Sequence, residues 1–364
     1  AIPAGVSGAT VLVDCTAPVA VTGITALPGH TKVDVSWMHD GTDVDHYEVF
    51  VGEWQDGSGG SAYPEYDDLP GGVVPTRPAD YAVAVASPQW TSLGAFDVTE
   101  LTQTWADPVD RGVFYYEVFA IDTAGNGSAA AAANDRSTNY WLGDVYGDTA
   151  GDLVGNGLVN VRDVNYLAAS YGDPVPEGHP DNVLDVGPTD DSSRLGIPLT
   201  DSVLNFEDLM IFSLNFGVVT PAKDRAPVGD RVALSWVDYG DGRYGLRLVE
   251  GASLKGLRVT AAVEVAGVEA GDLLDEQSEL TFLANVGDGL DASVAVMGQN
   301  VAFTGVGDLL VVNAAAAIDV GDLAITARAT DNSDLEVTVD KTSDTLAPRV
   351  FAVVHRVGGA RAHR

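Results

Sequence analysis

The sequence repeats itself once. Asn160-Val-Arg-Asp-Val-Asn-Tyr-Leu-Ala-Ala-Ser-Tyr-Gly172 aligns without a gap to Asn205-Phe-Glu-Asp-Leu-Met-Ile-Phe-Ser-Leu-Asn-Phe-Gly217. Both read Asn-x-x-Asp-apolar-x-x-apolar-x-x-polar-aromatic-Gly, and Val159 and Leu204 precede the two asparagines. Two matched segments of this kind are far less common by chance than one. They restrict residues 141–218 to a pair of equivalent helix-like units, separated by Pro-, Gly- and Asp-rich stretches.

Upstream of the first unit the spacing is that of a calcium loop. With Asp152 as position 1, Asn156 falls at 5, Gly157 at 6, Leu158 at 7, Asn160 at 9 and Asp163 at 12. Calcium takes six to eight oxygens at such offsets, position 7 giving only its backbone carbonyl and Gly at 6 allowing the sharp turn. Val154 at position 3 has no side-chain oxygen, and Asp163 is shorter than the usual Glu, so Asp148 or water is expected to complete the set. The second unit keeps the end of the loop, with Asp201, the Val203 carbonyl, Asn205 and Asp208, and its first ligand is expected to be Asp185. Residues 188–198 are then an insertion, tolerable because closure entropy grows only logarithmically with loop length. Asp190 and Asp191 lie inside it as alternative ligands.

Paired loop-and-helix units with no helix before the first loop resemble a dockerin module, a likeness carried also by Val186-Gly-Pro-Thr-Asp-Asp191 and by residues 205–212. The resemblance covers about seventy residues and implies one or two calcium ions and a cohesin as partner. Cohesins are β-sandwiches.

Strand patterns flank the repeat. Val33-Asp-Val-Ser-Trp37, Asp45-His-Tyr-Glu-Val-Phe50 and residues 114–121 alternate apolar with polar, as a half-buried strand requires. Gly, Ser, Asp and Tyr crowd residues 52–72, which read as a long hairpin or surface loop. Together with Tyr115-Tyr-Glu-Val-Phe-Ala-Ile-Asp-Thr-Ala-Gly-Asn126, these patterns resemble a fibronectin type III domain over residues 14–140. Residues 219–345 suggest nine short strands, at 231–236, 244–250, 257–265, 280–286, 292–296, 300–304, 309–313, 323–329 and 335–339. There Ala252-Ser-Leu-Lys-Gly-Leu-Arg-Val-Thr260, Val268-Glu-Ala-Gly-Asp-Leu-Leu274, Val301-Ala-Phe-Thr-Gly305 and Gly307-Asp-Leu-Leu310 resemble a cohesin. The expected fold is thus mainly β and multi-domain, two β-sandwiches flanking a small helical, EF-hand-like calcium module. An uncharged apolar segment, 1–13, precedes it, and a basic one, 346–364, follows.

Acidic residues outnumber basic ones 53 to 19, a formal charge of −34. That excess argues against nucleic acid, whose phosphates need a basic face, and against anionic membrane surfaces, while favouring divalent cations. No apolar run is long enough to span a bilayer, so membrane insertion is not expected. The single cysteine, Cys15, excludes an internal disulfide framework. An extracellular or cell-surface location is expected, with Ala1 the first residue left after signal-peptide removal.

Catalysis is not expected. The six histidines are scattered, no nucleophile elbow or phosphate loop occurs, and acid groups such as Asp67-Asp68 or Asp40, Asp43 and Asp45 lie in turns. Trp54, Trp90 and Trp105 with Tyr63 and Tyr66 form a candidate sugar-stacking platform, against the alternative of core packing. The leading expectation is a secreted structural subunit that self-assembles head to tail into a filament or surface layer, stabilised by calcium. The alternatives are a cohesin/dockerin-type adaptor recruiting carbohydrate-active enzymes, and, lower, a polysaccharide-binding accessory. The partner is accordingly a second copy of the chain or a cohesin- or dockerin-bearing protein.

Overall fold

The computed structural model describes residues 14–54, 73–106, 111–147, 155–176, 178–218, 229–287 and 289–343. The two terminal segments, most of the Gly-rich stretch (55–72) and Asp148, Asp152 and Val154 lie outside them.

The first sandwich is built as its alternation requires. Strands β1 (Thr22–Gly29), β2 (Lys32–Met38) and β5 (Glu100–Thr104) form one sheet in the order β1-β2-β5. Strands β3 (His46–Glu53), β4 (Thr91–Phe96), β6 (Val113–Ile121) and β7 (Asp135–Thr138) form the other, in the order β4-β3-β6-β7. In β2 the buried residues are every second one, Val33, Val35 and Trp37, and they meet Tyr47, Val49, Tyr116 and Val118 between the sheets. All nine residues of β6 are buried, because the second sheet is covered on both faces. Its outer face carries Phe50, Trp54, Tyr115, Phe119 and Ile121 under a short helix, α1 (Tyr81–Ala86), and Trp90. The buried Glu117 on that face accepts Arg77 Nε–H, and the same guanidinium donates to the carbonyls of Ala131 and Ala132.

The second sandwich has nine described strands. Sheet β12-β13-β10-β15 comprises Leu280–Asn285, Leu290–Val296, Leu254–Ala261 and Ala324–Ala329. The facing sheet, β11-β14-β9-β8-β16, comprises Val265–Ala270, Gly307–Ala314, Arg243–Glu250, Arg231–Gly240 and Glu336–Ser343. Its last pairing is parallel, Glu336 opposite Arg231 through Ser343 opposite Asp238. Two strand expectations are corrected. The run expected at 257–265 is two strands, because the chain leaves one sheet after Ala261 and enters the other at Val265. Residues 300–304 form no strand: Phe303 is buried, but its N–H bonds the Leu254 carbonyl at 2.7 Å beside a turn from Gly298 to Val301.

Between the sandwiches stand α2 (Val161–Ser170) and α3 (Phe206–Asn215), the two helices of the repeat. Their shared core takes Tyr140, Trp141, Leu142, Val164, Leu167, Leu184, Phe206, Leu209 and Phe212.

Candidate functional site

Most hydrogen bonds of one repeat unit recur in the other. Asn160 and Asn205 cap the helices, each side-chain oxygen accepting an N–H two residues on, from Arg162 and Glu207, at 2.8 Å. Asp163 and Asp208 complete capping boxes, accepting the N–H groups of Asn160 and Asn205 at 2.8 Å. Their other oxygens accept two N–H groups each from the segment that leads into the loop. For Asp163 the donors are Val145 and Tyr146, both at 2.9 Å; for Asp208 they are Val186 and Gly187, at 2.8 and 3.0 Å. Asn156 and Asp201 accept from Leu158 and Val203 N–H, while Asn160 and Asn205 Nδ2 donate to the carbonyls of those same residues. At position 6, Gly157 (φ 86°) and Ser202 (φ 63°) share the left-handed turn, which strains serine but not glycine. The halves also cross-pair: Gly217 N–H bonds Val159 O at 2.9 Å, and Gly172 N–H bonds Leu204 O at 2.7 Å.

The symmetry also matches two aspartates upstream of the loops. Asp185 Oδ2 accepts the N–H of Ser202 at 2.7 Å, and Asp144 Oδ2 accepts the N–H of Gly157 at the same distance. Asp144 is therefore the counterpart of Asp185, and sequence reading missed it. Asp152, the expected opener, lies outside the described residues. Asp190 and Asp191 turn away from the loop. Asp190 pairs with Arg136 of the first sandwich, and Asp191 Oδ1 accepts Ser193 N–H at 2.9 Å within the insertion.

Each half carries hard oxygens along its loop, Asp144, Asn156, the Leu158 carbonyl, Asn160 and Asp163 in the first and Asp185, Asp201, the Val203 carbonyl, Asn205 and Asp208 in the second, although Asp185, Asp201 and Asp208 do not bring three carboxylate oxygens within 4.8 Å of one another. Such a set suits calcium in its chemistry. In both halves two buried carboxylates lie close together. Burial pushes the Asp163 carboxyl up to about 6, the charge of Asp144 adding to it against the three N–H bonds. Burial, then Asp185, holds Asp208 well above the ordinary carboxylate range. A cation placed between such carboxylates would remove both penalties.

The module is held by the chain's own sandwiches. Every residue of α3 except Glu207 is buried, because the helix lies on the outer face of β13 and β10. Met210 and Phe206 fill the space over Gly256, where a Cβ would stand 2.4 Å from Met210 Sδ. Ala295 and Met297 join the module's core. Tyr171 Oη bonds Ser293 Oγ, and Arg328 bonds Glu207, both at 2.7 Å. Gly298 N–H donates to the Ser213 carbonyl at 3.0 Å. On the other side the insertion reaches both sandwiches, through Arg136–Asp190 and through Asn332 Nδ2 donating to Ser192 O at 3.0 Å. Buried Arg194, its pKa lowered to about 10 by desolvation, braces the loop against Asn215 Oδ1 at 3.1 Å.

Elsewhere, the expected stacking platform is not formed by its described members. Trp54 and Trp90 are core residues, and Trp105 packs on Phe114 with centroids 4.6 Å apart. Tyr63 and Tyr66, like Asp67 and Asp68, lie outside the described residues. Carboxylate oxygens of Asp14, Asp43 and Asp122 come within 4.8 Å of one another, those of Asp122 also accepting from Ala124 and Asn126 as the loop aspartates accept from their own neighbours.

No protein-family model matches the sequence, and no curated protein does. Among solved structures, a fibronectin type III-like protein from Clostridium thermocellum is similar at 16% identity, over 33% of this chain and 92% of that one, with a TM-score of 0.21. A non-cellulosomal cohesin from the archaeon Archaeoglobus fulgidus matches at 15% identity over 31% and 85%, with a TM-score of 0.22. A type II cohesin dyad from the adaptor ScaA scaffoldin of Acetivibrio cellulolyticus matches at 8% over 91% and 100%, also at 0.22. With all three scores below 0.5, the fold described above stands on its own strand order. Among the described residues no helix is long and apolar enough to cross a membrane.

Proposed function

We propose that the chain is a non-catalytic, extracellular or cell-surface structural subunit, in which a calcium-loaded helical module is fixed between two β-sandwiches and copies join head to tail. The observation that carries this reading is the burial of α3 against β10 and β13 of the same chain. A dockerin-like helix already seated on the chain's own cohesin-like sheet leaves that pair unable to serve as an intermolecular plug and socket. Contacts between copies must then use other surfaces, and the apolar residues 1–13 and the arginine-bearing residues 346–364 supply the chemistry for strand addition and for docking on an acidic body. Calcium would be held by the oxygen donors of the loops and would stiffen the module against both sandwiches.

The adaptor reading keeps one observation in its favour. Helix α2, the equivalent of α3, leaves Val161, Arg162 and Asn165 on the surface, where a foreign partner could reach them.

Light scattering and negative-stain microscopy, in millimolar calcium and again with excess chelator, separate the two. Ordered polymers that dissolve on chelation support the structural subunit. A monodisperse monomer in both conditions overturns it, and a monomer that captures an added cohesin-bearing protein moves the weight to the adaptor.

A further inference from the structure

The insertion in the second unit has a structure of its own. It is a hairpin: Thr189 bridges Pro198, Asp190 N–H donates to the Ile197 carbonyl at 2.9 Å, and Leu199 N–H donates to the Pro188 carbonyl at 2.7 Å. Ile197 N–H donates to Asp190 Oδ1 at 2.9 Å, which leaves Oδ2 to meet Arg136 of β7. Ile197 itself packs on the outer apolar cluster of the first sandwich.

Between hairpin and sandwich a cleft of about 390 Å³ stays open, within the range of about 300–1,000 Å³ usual for small-molecule sites. Part of its lining is apolar: Ile197 and Leu199 from the hairpin and Val74 from the segment before α1, with Leu199 52% and Val74 54% exposed. Single apolar side chains on a surface need no explanation, but these line one opening. Its least exposed members are Trp54 and Tyr115, each at 8%. Asn134, Arg136 and Asp190 supply the polar part. Tyr115 stands directly across the β6–β7 ladder from Arg136. Burial raises the Tyr115 pKa, the Arg136 charge opposing and the Asp190 charge adding to it, so the phenol lies in the field of both. Among the described residues nothing bonds the Tyr115 hydroxyl or the Asn134 amide, and Arg136 engages Asp190 through Nη2 alone. A phenol more than nine-tenths buried ordinarily has a partner. Here the unmet groups line the same cleft.

We infer that this cleft binds a neutral saccharide, its C–H face on Val74 and Leu199 and its hydroxyls on Tyr115, Asn134 and Arg136. A sugar offers donors and acceptors together with an apolar face, and the unmet groups match it: phenol and amide both donate and accept, the guanidinium donates. Ions are selected against. Arg136 and Asp190 neutralise each other, so an ionic ligand would have to part them, and the formal charge of −34 repels anions. A cation meets carboxylates already in use, Asp190 by Ile197 and Arg136, Asp135 by Ala26 N–H at 2.8 Å. An apolar peptide side chain would fill the space but leave the hydroxyl and the amide unmet. Unlike the stacking platform expected from the sequence, the cleft uses no exposed aromatic face. The inference depends neither on calcium nor on how copies join, and it gives the insertion a purpose as one wall of a site.

Isothermal titration calorimetry of the full chain tests it, with neutral hexasaccharides of glucose, xylose, mannose and N-acetylglucosamine, and with hexagalacturonate as the anion. At least one neutral sugar should bind in the micromolar to millimolar range. Tyr115→Phe keeps the ring and removes only the hydroxyl, and should weaken that sugar about threefold to tenfold, as should Asn134→Ala. Thermal melts of both variants should match the unaltered chain, because neither group bonds another described residue. No neutral sugar bound at millimolar concentration overturns the inference, as does hexagalacturonate binding more tightly than any neutral sugar. Binding that both variants leave untouched places the sugar elsewhere and overturns the cleft. A synthetic peptide of residues 1–13 that binds where no sugar does, and that Tyr115→Phe leaves unweakened, would make the cleft a contact between copies instead. Each of these failures leaves the structural-subunit reading standing, since light scattering tests that reading separately.

Discussion

The contact of α3 with β10 can be tested by resizing it. Met210 is fully buried, and its sulfur stands 2.4 Å from where a Cβ on Gly256 would be, about 1 Å inside ordinary contact. Phe206 Cε2 at 3.2 Å and the Val294 carbonyl at 3.3 Å close the other sides. Gly256→Ala therefore overpacks the contact and should cost about 1–3 kcal/mol. Met210→Ala opens a cavity in the same place, for about 2–5 kcal/mol. Together the new methyl enters the space that the sulfur vacates, so the double variant should be more stable than the sum of the two by about 1–2 kcal/mol. Unfolding midpoints in denaturant, converted with the measured slope, give all four corners of the cycle. Run in excess chelator, where copies are expected to be apart, at two protein concentrations a hundredfold apart, they should agree, because a contact within one chain has no mass-action term. Additivity to within about 0.5 kcal/mol would show that Met210 and Gly256 do not meet, and the docking of the module on the second sandwich would fall with it.

Three further outcomes concern two buried charges and the helix caps. Lys255 is fully buried, and desolvation brings its pKa down to about 7, with Nζ donating to the Gly298 carbonyl. Its folded pKa lies below its unfolded one, so between pH 7 and about 10 the unfolded state binds more protons and stability rises with pH. Lys255→Met should flatten that rise and stabilise the protein most at pH 6, as thermal melts across the range would show. Arg77→Met strands the buried Glu117 carboxylate and should cost about 3–5 kcal/mol, while adding Glu117→Gln should recover a large part of it in the same denaturant assay. Asn160→Ala and Asn205→Ala should each cost about 1–2 kcal/mol in the same assay, because the helix cap and the Nδ2 bond to the Leu158 or Val203 carbonyl are both lost.

Much of this was legible because it depends on local periodicity. Alternation placed β2, β3 and β6, and the matched motif placed both helices, their asparagine starts and the buried aspartates at their fourth positions. Asp144 was not legible by spacing. A fixed twelve-residue loop points to Asp152, which lies outside the described residues, while Asp144, nineteen residues before Asp163, accepts the Gly157 N–H. The missing signal was the second copy: Asp144-Val145 and Asp185-Val186 are the same dipeptide, each valine N–H bonding the aspartate that ends its loop. The parallel closure of β16 on β8 joins residues about a hundred positions apart, and no local pattern announces it.

The docking itself, by contrast, is written in the composition of one helix. Helix α2 has the sequence of an ordinary surface helix: Asp163, Val164 and Leu167 are buried, while Arg162, Asn165, Ala168 and Ala169 face water. Helix α3 aligns with it position for position, yet reads Phe-Glu-Asp-Leu-Met-Ile-Phe-Ser-Leu-Asn, apolar around its circumference. A helix apolar on all sides must be covered on all sides. One face of α3 is accounted for by α2 and the module's shared core, so the other requires a second apolar surface. Met210 and Phe206 find it over Gly256, a strand position with no side chain of its own. The same comparison explains why only one of two equivalent helices is seated: Val161 and Arg162 of α2 occupy the positions of Phe206 and Glu207, and an arginine there could not repeat the bond that Glu207 makes with Arg328.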